Sequence, residues 1–136
     1  MNFRWLVLLL LPLGAHAQQM VFPIEIFEYV DNARVVAFIN QSDIDATRNW
    51  HPFDEAVPLT VDQATERMNS YMASAPELEG GRLEEIVLRR IPQHEKQWHY
   101  MFKMRTDPAQ GSQAHYFVML MSGKIIPAIR EPESIK

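Results

Sequence analysis

The chain has 136 residues, with 13 Lys and Arg against 17 Asp and Glu, a net charge of −4 and no cysteine. A mildly acidic chain with no basic run is a poor match for nucleic acid or for an anionic membrane surface. Without a thiol there is no disulfide framework and no cysteine nucleophile, so apolar packing must hold the fold.

Residues 1–17 have the layout of a secretory signal peptide. Arg4 precedes an apolar run over 5–13, and Ala15-His16-Ala17 supplies small residues around a cut. The run is shorter than the ~20 residues a spanning helix needs, and Pro12 and Gly14 break it. No Cys follows, which excludes a lipid-anchored lipoprotein. Cleavage near Ala17 would leave 18–136 as one α+β domain, periplasmic or secreted and with no membrane span.

The mature region opens on a β-hairpin over about 21–40. Ile24, Ile26 and Glu28 fall on one side of its first strand, Phe27 and Tyr29 on the other. Pro23 restricts this strand to a start or an edge. Asp31-Asn32-Ala33 signals the turn, and Val35, Val36, Phe38 and Ile39 carry the return strand. The polar stretch 41–59 reads as a long loop, tacked to one end of a core by Trp50 and Phe53.

Thr60 then opens the clearest helix of the chain, over about 61–75. Gln63, three residues on, completes the pattern of a capping box, and Asp62 sits in the dipole-favoured first turn. Val61, Ala64, Met68, Tyr71, Met72 and Ala75 make one apolar stripe, which a lone amphipathic helix must bury, here on a sheet. Pro76 ends it.

A three- to four-stranded antiparallel meander follows over about 83–129. Leu83, Ile86 and Leu88 lie in its first strand. In the second, Trp98, Tyr100, Phe102 and Met104 alternate with His99, Met101, Lys103 and Arg105. If loop 106–113 closes a hairpin, facing residues sum to about 219, so His115 opposes Met104. The next strand is apolar on both faces through Phe117, Val118, Met119, Leu120 and Met121, as an interior strand covered twice would be. Ser122-Gly123 suits a two-residue turn, and a polar tail closes the chain over 131–136.

Taken in order, Trp50-x-Pro52, Pro58-Leu59-Thr60, Ala64, Ile86-x-Leu88, Trp98-x-Tyr100-x-Phe102 and Gly123-Lys124-x-x-Pro127 resemble small exported bacterial proteins built from one helix and a short antiparallel sheet. The unit is similar to PepSY-type domains and more loosely to cystatin-like folds, over about residues 50–127. The resemblance implies architecture and a role in inhibiting or chaperoning secreted peptidases, or in ligand sensing at the envelope. It brings no catalytic residue.

Chemical motifs are sparse. His51, His94, His99 and His115 have no i, i+4 pair, and no serine sits in a nucleophile elbow. Asp43-x-Asp45 lacks the further ligands and the glycine bend of a calcium loop. No cofactor, metal or catalytic residue is expected. The leading expectation is a non-catalytic binding or accessory module that meets an envelope protein or peptide through one sheet face. Met101, Lys103 and Met119 would form that face, with Phe117 and Met121 beside them and Trp50 at its lip, unless the hairpin or the long loop covers it. A second class is a small-molecule carrier or enzyme with a pocket between helix and sheet, lined by Tyr71, Trp98 and Tyr100. A third is a structural homo-oligomer.

Overall fold

The computed structural model describes residues 21–107 and 111–132. The leader at 1–17 and the end of the tail at 133–136 lie outside the described residues. Strands β1 (Ile24–Val30) and β2 (Ala33–Ile39) form the N-terminal hairpin, followed by a short helix α1 (Gln41–Asp45) and the main helix α2 (Val61–Ala73). A 3-10 turn (Pro76–Leu78) leads to β3 (Arg82–Ile91), β4 (His94–Arg105), β5 (Ala114–Leu120), β6 (Ile125–Pro127) and β7 (Ile129–Arg130). The fold is α+β, with two antiparallel sheets ordered β1-β2-β7 and β3-β4-β5-β6.

Local chemistry accounts for the turns and the helix start. Asp31 and Asn32 both take positive φ (48° and 62°), as a two-residue type I′ hairpin demands. Gln93 (φ 65°) turns β3 into β4, so β4 begins at His94 and takes in the polar residues Glu95 and Lys96. At α2, the Gln63 N–H donates to Thr60 Oγ1 at 3.2 Å and the Thr60 N–H to Gln63 Oε1 at 3.0 Å, which is the full capping box. The helix stops at Ala73, with Ser74 as its C-cap, and Pro76 belongs to the following 3-10 turn.

Three departures from the sequence expectations matter. The stretch 41–59 contains helix α1, whose Ile44 is buried in the core. Phe53 does not plug anything: it is fully exposed with φ 74°. The last strand divides at Ala128, its first part pairing with β5 and its second with β2. Residues 125–130 therefore supply an edge strand to each sheet, with β1 and β3 at the opposite edges. Arg89 of β3 pairs with Glu28 of β1 between the two sheets.

The core lies in two layers on the two sides of the larger sheet. On one side Ala64 and Met68 of α2 pack with Tyr100, Phe102, Met104, Phe117, Met119 and Met121. On the other, Ile26, Ala37, Ile39 and Ile44 meet Ile91, Met101, Val118, Leu120 and Ile126. Each apolar face of β5 thus removes its side chains from water against a different partner.

Candidate functional site

The residues expected to form one sheet face do not share a face. Cα partners Met101↔Val118 and Tyr100↔Met119 put Met101 and Met119 on opposite sides of the sheet, and directly opposed residues must point the same way. Phe117 and Met121 likewise turn toward α2. Met101 is 5% exposed beneath the N-terminal hairpin and Met119 is 0% exposed beneath the helix. Neither can touch a partner in this fold. Lys103 is half-buried and pairs with Glu84 at 3.5 Å, beside Arg105, which bonds the same carboxylate at 2.6 Å. Those cations hold the Glu84 carboxyl below its usual range, the Arg105 hydrogen bond leading. Trp50 is pinned rather than free. Its N–H donates to the Lys96 carbonyl at 2.8 Å, its indole N–H to the Glu55 carbonyl at 3.1 Å, and its ring meets Trp98 edge-on at 5.3 Å.

Tyr71, Trp98 and Tyr100 do share the helix-facing side, where they pack with its core. Tyr71 stacks edge-on against Phe117 at 5.5 Å, and Tyr100 donates its phenol proton to the Leu59 carbonyl at 2.7 Å. Arg90 lies 5.1 Å over the Trp98 ring. Open space occurs on the flanks of α2 instead. A groove of about 740 Å³ runs between the helix and the β5–β6 turn. A smaller one of about 230 Å³ opens toward β3 between Met72 and Leu83.

The surface that stands out was only half legible. On the outer side of the hairpin sheet, Phe27 (49% exposed), Tyr29 (69%), Phe38 and Ile129 are presented to solvent. Register places them together: Phe27↔Val36, Tyr29↔Arg34, Glu25↔Phe38 and Val36↔Ile129. Phe27 meets Tyr29 edge-on at 6.1 Å, and the Arg34 guanidinium sits 4.6 Å over the Phe27 ring. Arg34 is held there by Glu131 and by Glu25 at 3.2 Å, and Glu131 chiefly raises its pKa. Alternation in β1 already put Phe27 and Tyr29 on one side. The missing signal was that these side chains stay exposed, while Val36, opposite Phe27 and Ile129 on the same face, is fully buried.

Another exposed aromatic, Phe53, sits at a loop tip. The Asp54 and Glu55 N–H groups both donate to the His51 carbonyl at 3.2 Å, and the His51 N–H donates to Glu55 Oε1 at 2.9 Å. This closed turn holds Phe53 outward in a left-handed conformation that aromatic residues rarely adopt.

Buried polar chemistry gathers on β4. His99 is 1% exposed, and neither ring nitrogen has a hydrogen-bond partner. Burial, reinforced by the charge of Arg89, pushes its pKa down to about 4. Two residues before it, Gln97 donates through Nε2 to the carbonyls of Ile44 (2.8 Å) and Thr47 (2.7 Å), while its Oε1 is unpaired. Among the described residues no three His, Asp or Glu side chains gather as a metal set. Compared with protein-family models, with curated proteins and with solved structures, the chain has no significant match in any of the three.

Proposed function

We propose that this chain is an exported, non-catalytic binding module that holds a short extended segment of an envelope protein or peptide on the outer face of its N-terminal sheet. The helix-and-meander unit, PepSY-like in order, would be the scaffold behind that face. The observation that carries this reading is an asymmetry of cover. The inner strands β4 and β5 of the larger sheet are covered on both faces, whereas Phe27, Tyr29, Phe38 and Ile129 stay in water on a strand surface. Beside them β1 is an edge strand, so its backbone can take a further strand while the aromatic side chains grip the alternate residues of the guest.

Size favours a segment over a second copy. Seven residues at ~3.3 Å and three strands ~4.8 Å apart give a face of roughly 300 Å², well under the ~800 Å² per partner of a stable protein pair. The test uses residues 18–136, with Phe27→Ser plus Tyr29→Ser as the variant. Peptide arrays drawn from envelope proteins should yield extended binders that the folded double variant loses. Equal binding by the variant would remove the face from consideration, and a dimer in light scattering that the variant abolishes would assign it to a second copy. N-terminal sequencing of the protein recovered from the cell envelope tests export: the first residue should be Gln18.

A further inference from the structure

The groove between α2 and the β5–β6 turn is lined by a cation, Arg67, that has no ion-pair partner among the described residues. Arg67 leaves the middle of α2 and lays its guanidinium against Gly123. A Cβ built on that glycine would stand 2.6 Å from Arg67 Cζ and 2.7 Å from its Nε. Gly123 has φ +89°, so both the turn and the close approach call for glycine. Arg34, Arg89 and Arg105 each have a carboxylate partner, whereas Arg67 has none among the described residues. Its fork is thus placed by packing and left open to a ligand.

The surroundings say what kind of ligand. Leu59, Met121 and Ile125 supply an apolar floor to a space of about 740 Å³. On the helix wall, Glu66 lines the same space and has no cationic partner among the described residues. Gln63 spends its oxygen on the Thr60 N–H, which leaves its amide NH₂ as a donor. A simple anion would be repelled by Glu66. A carboxylate with an N–H donor one carbon away suits both charges at once, and an aliphatic side chain suits the floor.

We infer that this groove binds an aliphatic α-amino carboxylate, either the C-terminal residue of a peptide or a free amino acid. Its carboxylate lies in the Arg67 fork, its N–H faces Glu66 and its side chain covers Met121. This site is separate from the outer face of the N-terminal sheet and does not depend on it.

The experiment is an NMR titration of 18–136 with N-acetyl-leucine, leucine and N-acetyl-leucinamide, following the Gly123 amide and the Arg67 Nε–H. An acid of this size should bind at roughly 1 mM, with saturable shifts at both probes. The neutral amide should bind at least ~10-fold more weakly, and Arg67→Gln should lose the acid to the same degree while keeping the circular dichroism of the parent. N-acetyl-leucine binding better than leucine identifies a peptide C-terminus, and the reverse a free amino acid. Equal affinity for acid and amide, unaltered binding by Arg67→Gln, or no shift at Gly123 with either acid overturns the site.

Discussion

The Tyr100 phenol donates to the Leu59 carbonyl at 2.7 Å, tying the segment that enters α2 to the buried face of β4. Tyr100 is 2% exposed, and burial raises its pKa, so the phenol remains a neutral donor throughout the physiological range. Tyr100→Phe keeps the ring contact with Phe102 and removes only the donor. The Leu59 carbonyl then loses its buried partner, which should lower stability by about 1–2 kcal/mol. Urea denaturation should report this as a lower midpoint at unchanged slope.

His99 predicts how the fold responds to acid. Its folded pKa of about 4 lies below the 6.5 of the free side chain, so between those values the unfolded chain binds the extra proton. Stability is full above pH 6.5, falls as pH drops toward 4, and is then flat with respect to this group. At ~1.4 kcal/mol per unit the full swing is on the order of 3 kcal/mol. His99→Gln should flatten that part of the profile relative to the parent, although it also changes stability at neutral pH. Urea midpoints from pH 7 to 4 provide the check, and parallel profiles would show that His99 is not the group responsible. Glu84, held below the usual carboxylate range by Arg105, contributes its own loss at lower pH.

What the sequence made legible was local chemistry and what it hid was cover. The Thr60–Gln63 box and the register that opposes Met104 to His115 each follow from a few neighbouring residues, and both are present. Gly123 does take positive φ, but the turn is centred on Met121-Ser122, with the Gly123 N–H donating to the Leu120 carbonyl, rather than on Ser122-Gly123. The same register already sets Met101 opposite Val118, so uniting Met101 and Met119 on one face went against it. Both faces of β5 are apolar, and composition alone could not say that the hairpin would take one and α2 the other. Helix α1 escaped notice because five residues with one apolar position show no period. Its place is fixed from far along the chain, by Gln97. The fate of Phe53 was invisible for a similar reason: a positive φ at an aromatic is imposed by the turn around it.

Phe53 should be a site where a smaller residue stabilises the fold. Its ring is fully exposed and its backbone is left-handed (φ 74°), so it retains the strain and contributes no core contact. An L-residue in that region costs about 1–2 kcal/mol, and glycine gives back part of the gain through a looser unfolded chain. Phe53→Gly should therefore raise stability by about 0.5–1 kcal/mol, whereas Phe53→Ala, with the same φ penalty, should stay within ~0.5 kcal/mol of the parent. Thermal melts of the three proteins decide it. A destabilised glycine variant would mean that the ring has a packing role the geometry does not reveal.

Gln97 offers the sharpest test of how the long loop is held. Its Nε2 donates to the carbonyls of Ile44 and Thr47, so one β4 side chain binds the end of α1 and the residues just after it. Both residues are buried, and water cannot easily take over when the donor is lost. Gln97→Leu leaves the Thr47 carbonyl unpaired, while the Ile44 carbonyl keeps the Thr47 N–H at 3.0 Å, and should lower stability by about 1–3 kcal/mol. Gln97→Glu is worse at neutral pH, because it adds a buried carboxylate facing two carbonyl oxygens. Burial without a cation raises that carboxyl's folded pKa above its unfolded value. The penalty relative to the parent must then shrink as pH falls and the group protonates, since the acid O–H can again donate to one carbonyl. Urea midpoints for parent, Gln97→Leu and Gln97→Glu at pH 7 and pH 5 separate the effects. Leu should keep its deficit at both values and Glu should recover part of its own. A Glu variant with the same deficit at both values would place Gln97 in contact with solvent rather than under the loop.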